Sequence, residues 1–243
     1  MTRPSDGLWT VLKLRSRKES SVYVYFPSCK FQAQYPETAK RIKAFLEERG
    51  VRVTGCCRQN YDKLAPEDQP ITVCQTCRII VGDNNPEQKP ISLFEYLDAL
   101  EDVRWPDHSG EAITVQDCFR ALRHAEKTSD HELLAIRSLL RKMNFTVIEL
   151  PGTEEERTYD GAFLYNHMME GNLKLAPETF GGFEPFVHAM DKESMLMDIR
   201  EYASRFDTNV VCYCNACAAG LKNTLPKEWK VYHLAELLFP EGA

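Results

Sequence analysis

The chain has 243 residues, 43% of them hydrophobic and 27% charged, which is enough to bury one large core or two smaller ones. Its net charge of −6 does not suit a nucleic-acid binder, and no stretch approaches the roughly 20 apolar residues that span a bilayer. Residues 8–14 are interrupted by Lys13 and followed by basic residues, unlike a signal peptide. We therefore expect a cytoplasmic protein with no membrane insertion and no nucleic-acid partner.

The nine cysteines are the most informative feature of the composition. In the cytoplasm, cellular thiols keep cysteines reduced, so a disulfide framework is not expected, and an odd number also leaves one cysteine unpaired. Closely spaced cysteines in that compartment more often bind metal or carry out redox chemistry.

Elements of the first half follow from hydrophobic periodicity and from turn residues. In chain order they are a tail or an added edge strand over residues 1–20, a strand over 22–26, a helix over 37–49, strands over 51–53 and 71–73, and a helix over 92–100. Each of the three buried strands runs into a cysteine: the first into Cys29, the second into Cys56-Cys57, and the third into Cys74 and Cys77.

The second half repeats this order of elements. We expect a strand over 112–115, a helix over 130–143, a strand over 145–150, a helix over 192–206, a strand around 210–211 and a closing helix over 232–239. The first of these strands ends near Cys118, and the strand at 210–211 leads into Cys214 and Cys217.

The alternation of strands and helices predicts an α/β fold with parallel sheets and right-handed crossovers. A shift of 140 residues carries Cys74 to Cys214 and Cys77 to Cys217, and it also carries Ile91, Phe94 and Leu97 to Val231, Leu234 and Leu237. This repeat predicts two pseudo-repeated modules, each a small parallel sheet flanked by helices. We place the first cysteine-rich module at 21–105 and a second, degenerate one at 106–243.

The cysteines of the first module should converge, because the carboxyl ends of parallel strands meet at one edge of a sheet, where ligands bind. The candidate ligands are Cys29, Cys56, Cys57, Cys74 and Cys77. Five thiols exceed the four ligands of a tetrahedral zinc, whereas thiolates are the natural ligands of a cluster with several irons. A structural zinc site is the alternative for this module.

The pattern of one cysteine, then Cys-Cys, then Cys-x-x-Cys resembles the cysteine-rich "CCG" domain. That domain occurs twice in one subunit of heterodisulfide reductase, and relatives occur in the iron–sulfur subunits of lactate-utilisation and glycolate-oxidase systems. The resemblance covers nearly the whole chain, from the YFPSC strand end and the GCC turn to both CxxC pairs and the YHLAELL segment near the C-terminus.

The resemblance implies a cofactor, a function and a partner. It implies that Cys29, Cys56, Cys57, Cys74 and Cys77 hold an iron–sulfur cluster of the four-iron (4Fe-4S) class in an unusual noncubane form. By the same resemblance, the chain is a redox subunit of a hetero-complex that passes electrons to a disulfide, a thiol or a related acceptor. The sequence offers no evident flavin or nicotinamide site, so a flavin- or ferredoxin-type redox protein would supply the electrons.

The chain departs from the family pattern in both modules. Arg58 follows the Cys-Cys pair where the family has glycine, and the gap of 16 residues before Cys74 is shorter than usual. In the second module, Tyr159-Asp160-Gly161 stands in place of Cys-Cys-Gly, and Phe119 replaces a family histidine. The second module is therefore not expected to hold the five-thiolate cluster.

Three cysteines of the second module, Cys118, Cys214 and Cys217, are candidates for a second metal site. With Cys212 or Asp160 as a fourth ligand they could bind zinc or a smaller cluster. The alternative is a packing role, because a free cysteine buries well as a small hydrophobe.

Two other functions fit the same cysteines. One is a non-catalytic electron-transfer subunit of a dehydrogenase complex, which would carry a cluster but would not turn over a disulfide. The other is a zinc-stabilised interaction scaffold, which would contain zinc in place of iron.

Overall fold

The computed structural model of the protein describes residues 22–124, 131–151, 158–161 and 163–241. The tail or edge strand expected over residues 1–20 lies outside these ranges. The predicted α/β fold is confirmed, with two parallel sheets flanked by helices. Within the described ranges, no helix combines the length and the apolar character needed to cross a membrane.

The first sheet has four parallel strands in the order β2-β1-β3-β4. They are β1 (Tyr23–Phe26), β2 (Arg52–Val53), β3 (Gln69–Thr72) and β4 (Ile91–Ser92). In the central strand β1, Val24, Tyr25 and Phe26 are all buried, which is why the strand has the near-continuous apolar run typical of a sheet covered on both faces.

The second sheet has the strand order β6-β5-β8-β9, with a short strand β7 that also pairs with β5. Its strands are β5 (Ala112–Cys118), β6 (Thr146–Glu149), β7 (Thr158–Tyr159), β8 (Asn209–Cys212) and β9 (Val231–His233). Strand β5 is longer than β6, so its last residues, Asp117 and Cys118, are free to pair with β7. This pairing brings Tyr159 directly opposite Cys118.

Helices connect the strands in both modules. The first module has α1 (Cys29–Gln34), α2 (Pro36–Glu48), α3 (Cys57–Asn60), α4 (Gln75–Asn84) and α5 (Leu93–Asp98). The second has α6 (Phe119–Arg123), α7 (His131–Lys142), α8 (Glu170–Leu175), α9 (Pro177–Phe183), α10 (Lys192–Ala203), α11 (Asn215–Lys222) and α12 (Leu234–Leu238).

The internal repeat has a one-residue slip that the sequence pattern does not show. Ile71 pairs with Ile91 in the first sheet, whereas Val211, which is Ile71 shifted by 140, pairs with Tyr232 in the second. The shift of 140 therefore holds at the central strands and becomes 141 at the edge strands. The predicted match of Ile91, Phe94 and Leu97 with Val231, Leu234 and Leu237 is wrong by one residue.

The closing helix is also shorter than predicted. Residues 232 and 233, assigned to that helix from the sequence, belong to the edge strand β9, and α12 begins at Leu234. A strand of three residues is too short to show a period-2 pattern, so only its pairing with β8 reveals it.

The two modules share buried apolar contacts. One continuous core includes Tyr25 and Ile71 of the first sheet together with Val115 and Val211 of the second. A second, smaller cluster joins Cys57 and Cys77 to phenylalanines of the second module, among them Phe119 and Phe180. The cysteine-bearing edge of the first sheet therefore packs directly against residues of the second module.

Candidate metal centre at the strand ends

Four potential metal ligands of the second module follow the ends of its central strands. Cys118 is the last residue of β5, Asp160 comes directly after β7, and Cys214 and Cys217 lie at the start of α11, after β8. All three strands are parallel, so their carboxyl ends, and these side chains, share one edge of the sheet.

These four residues form a compact, buried group. The three sulfurs and a carboxylate oxygen of Asp160 all lie within 4.8 Å of one another, and each side chain is almost fully shielded from solvent. Such a group can bind a metal ion. The sequence allows either Cys212 or Asp160 as the fourth ligand; the group contains Asp160, and Cys212 is a buried residue of β8 outside it.

The approach of Asp160 to the cysteines depends on the glycine that follows it. Gly161 has a φ of 52°, and a Cβ at this position would collide with the carbonyl oxygen of Ala216 in α11. Only glycine allows the loop after β7 to come this close to the helix. The Cys217 thiol then donates a hydrogen bond to the carbonyl of Tyr159 at 3.1 Å, which ties the helix to the same loop.

A buried arginine balances the charge of this group. Arg120 Nε and Nη2 donate to the two carboxylate oxygens of Asp160 at 2.7 and 2.9 Å, and Nη2 also lies 3.3 Å from the sulfur of Cys214. Burial raises the pKa of Asp160 to about 7, against the charge of Arg120. The neighbouring thiols of Cys118 and Cys217, and then the charge of Arg120, hold the pKa of Cys214 well below its usual value.

The cysteines of the first module also lie at strand ends and helix starts. Cys29 begins α1 and is exposed, Cys57 begins α3 with half-buried Cys56 before it, and Cys74 and Cys77 open α4. The thiol of Cys56 interacts electrostatically with that of Cys29, and the thiol of Cys77 interacts with those of Cys57 and Cys74. The five predicted ligands are thus linked in two subsets at this edge.

The first-module cysteines are more widely spaced than the second-module group. Within the described part of the chain, only the group of Cys118 and its neighbours has three or more ligand atoms that all lie within 4.8 Å of one another. The neighbouring thiol of Cys77, together with the charge of Arg120, lowers the pKa of half-buried Cys74 to about 6. The first module therefore presents an open set of thiols that includes a readily ionised one.

A pocket of about 730 Å³ connects the two sets of cysteines. Cys29, Cys57, Cys74 and Cys77 of the first module and Cys214 of the second contribute to its wall. The rest of the wall combines apolar side chains with polar and basic ones, including Phe163, Met168, Met195, Arg58, Asn172 and Arg120.

Sequence reasoning did not identify Arg58 as a pocket residue or Arg120 as a partner of the cysteines. In the sequence, Arg58 stands out only as a departure from the family glycine; in the structure it donates a hydrogen bond to Asn172 of α8, across the pocket. Arg120 is buried two residues after Cys118, and an arginine so close to the end of a buried strand is the one signal that could have identified it.

Comparison with known proteins finds no matching family model, no similar curated protein and no similar solved structure.

Proposed function

We propose that the protein is an iron–sulfur redox subunit resembling the CCG-domain subunit of heterodisulfide reductase, and that its substrate binds in the pocket between the two modules. The observation that carries the proposal is the convergence of cysteines from both modules on this one pocket. Cys29, Cys56, Cys57, Cys74 and Cys77 would hold a four-iron cluster, which supplies one-electron chemistry when bound.

The open spacing of the first-module thiols supports a cluster there in preference to a single ion. Tetrahedral zinc has Zn–S bonds near 2.3 Å, which places two thiolate sulfurs only about 3.8 Å apart. Several irons separate their thiolates further, and the first-module cysteines do not close into a group within 4.8 Å. The ionised form of Cys74 is also the form that binds iron.

The second-module group suits a single zinc ion. Three thiols and one carboxylate provide the four ligands of a closed structural site, and their mutual distances of up to 4.8 Å are near those of a tetrahedral ion. Burial of all four side chains is typical of a structural site, although Cys214 also contributes to the wall of the pocket. We assign this site a structural role: it fixes the strand ends that form one wall of the pocket.

The charge of the pocket favours an anionic acceptor. Its described lining residues include Lys30 and Arg58 but no aspartate or glutamate, although acidic residues outnumber basic ones in the chain. Arg120 also lines the pocket, but its charge is balanced by Asp160. Apolar side chains such as Phe163 and Met195 keep water from the site and suit the sulfur atoms of a disulfide. Reduction of a disulfide to two thiols consumes two electrons and two protons, and the electrons come from a flavin- or ferredoxin-type partner in the hetero-complex.

Serine substitutions test the assignment of the two sites. We expect Cys57→Ser to abolish or alter the electron paramagnetic resonance spectrum of the anaerobically purified protein, because a neutral hydroxyl is a poor ligand for iron. Cys118→Ser, the matched change in the second module, is expected to leave that spectrum largely intact and to lower the zinc content. Loss of the cluster in Cys118→Ser alone would show that the two modules share one site.

Disulfides of similar size but different charge test the acceptor. With a strong artificial reductant, 3,3′-dithiodipropionate should be reduced faster than neutral bis(2-hydroxyethyl) disulfide or cationic cystamine. Arg58→Gln should remove this preference, whereas Lys227→Gln, at an exposed position outside the pocket, should retain it. A cluster-loaded protein that reduces none of the three would favour a non-catalytic electron-transfer subunit.

A further inference from the structure

Arg120 contacts both cysteine sites. Besides its bonds to Asp160 and Cys214, its Nη1 donates to the hydroxyl of Thr76 at 2.8 Å. Thr76 lies between Cys74 and Cys77, in the first turn of α4, which presents two of the five first-module thiols. The guanidinium lies over the ring of Phe163, with its central carbon 4.2 Å from the ring centroid.

These contacts leave the guanidinium little freedom. Arg120 is 4% exposed, and three of its hydrogen bonds go to the side chains of Asp160 and Thr76. A planar fork bound to a carboxylate through two parallel hydrogen bonds fixes the orientation of that carboxylate. Each oxygen of Asp160 still has a lone pair for a metal ion, so the arginine orients this ligand without blocking it.

We infer that Arg120 is a positioning residue shared by the two sites: it orients Asp160 toward the second-module metal and holds the first turn of α4, with Cys74 and Cys77, beside the pocket. One part of this inference, the effect on the first site, rests on the proposed iron–sulfur function. The other part, the effect on Asp160, rests only on the second-module group.

Two measurements separate these parts. Loss of a partner that orients a metal ligand costs roughly 10- to 100-fold in metal affinity, so Arg120→Gln should weaken Co²⁺ binding at the second site by that factor. Arg120→Gln also removes a positive charge near Cys74, which should make the first site harder to reduce. Thr76→Val keeps the charge and the side-chain shape but removes the hydrogen bond, so it should change the first site's spectrum and leave Co²⁺ affinity unchanged.

The experiment uses full-length protein handled anaerobically. Co²⁺ is titrated into a Cys57→Ser background and followed by thiolate-to-cobalt absorption, and the midpoint potential and electron paramagnetic resonance spectrum are recorded with Cys57 intact. Arg141→Gln, which removes an exposed arginine from the same module, is the charge-matched control. If Arg120→Gln does not fold, Arg120→Lys replaces it, because lysine keeps the charge without the paired geometry.

The inference is supported if Arg120→Gln affects both sites, Thr76→Val affects only the first, and Arg141→Gln affects neither. A normal Co²⁺ affinity or a normal first-site potential in Arg120→Gln would overturn it, even if the cluster is present. A wild-type chain that assembles no cluster would instead refute the proposed function, and the Co²⁺ titration would then decide the role of Arg120 at Asp160.

Discussion

Cys118 and Cys29 are not structurally equivalent, although each lies at or just after the end of the first strand of its module. Tyr25 and Val115 hold corresponding positions, because they pair with Ile71 and Val211 of the neighbouring strands. Counting onward from these positions, Cys118 corresponds to Ser28, one residue before Cys29. Cys118 is fully buried whereas Cys29 is exposed. This one-residue displacement helps to explain why the second-module group is compact and the first-module set is open.

His233 gives the stability of the protein a dependence on pH. It is fully buried, and its Nδ1 accepts a hydrogen bond from the Ala235 amide at the start of α12. Burial lowers the pKa of His233 to about 3, below its ordinary value near 6.5. His233 of the unfolded chain therefore takes up a proton as the pH falls below about 6.5, whereas His233 of the folded chain does not. As a result, the free energy of unfolding decreases as the pH falls from about 6.5 to about 3.

We predict that His233→Asn reduces this loss of stability. Asparagine is a good helix N-cap, so the substitution can keep the bond to Ala235 without a titrating group. The free energy of unfolding of the wild type should fall more steeply than that of the variant between pH 6 and 4, by about 1.4 kcal/mol per pH unit. Urea unfolding of both proteins across this range measures the difference; parallel pH profiles would show that His233 does not carry the effect.

The gathering of cysteines at the strand ends was predictable from the sequence, but the composition of the second group was not. Cysteines after buried strands converge whenever the strands are parallel, and the sequence shows both features. Asp160 enters the group only because the two-residue strand β7 pairs with the end of β5, and so short a strand has no periodicity to detect. The contacts of Arg120 could not be predicted from the sequence, because its partners lie 40, 44 and 94 residues away in the chain.

At the scale of elements, the sequence predicted the central strands, the edge strands β2 and β6 and the longest helices, and it missed three short strands. The helices expected over 37–49 and 192–206 are present with slightly different ends. The strands β4, β7 and β9 were missed; each has two or three residues and is defined by its pairing with a neighbour. The slip from 140 to 141 residues arises at such an edge, where pairing register rather than composition sets the alignment.

The loop after β7 provides a test of how strictly the second site depends on backbone geometry. We predict that Gly161→Ala destabilises the protein by about 1–3 kcal/mol from its left-handed φ alone, with a further cost from the collision with Ala216. The variant should also lose zinc, because Asp160 moves with the loop. Thermal unfolding and metal content measure the two effects.

Gly182→Ala is the matched control for this prediction. Gly182 lies within α9, and a Cβ there meets no atom within 4 Å. Alanine is the better helix former, so this variant should be as stable as the wild type or more stable by about 0.5–1 kcal/mol. Equal stability and equal zinc content of the two variants would show that neither property requires the close approach of Gly161 to α11.

At the scale of the whole molecule, a buried ion cluster joins the two modules. Arg78 of α4 is 2% exposed and contacts Glu132 of α7 at 2.6 Å and Glu95 of α5 at 3.2 Å. Gln75 also donates to both oxygens of Glu132. The cluster thus links the helix that carries Cys77 to a helix of the second module, and it helps to hold the pocket between them.

We predict that Arg78→Ala destabilises the protein by about 3–5 kcal/mol, because it leaves two carboxylates buried without their cation. The comparison is Lys40→Ala, which breaks an exposed ion pair with Glu37 and should cost less than about 1 kcal/mol. Chemical denaturation of the two variants gives these values. A small effect for Arg78→Ala would mean that the two modules are held together chiefly by their shared apolar core.

The most direct test of the account is the metal and sulfide content of the protein purified anaerobically from its native host. The two-site account predicts about four irons, about four inorganic sulfides and one zinc per chain, with an electron paramagnetic resonance signal that depends on Cys57. Zinc without iron or sulfide would contradict the redox function and favour a zinc-stabilised scaffold. About eight irons per chain would contradict the assignment of the second site to a single ion.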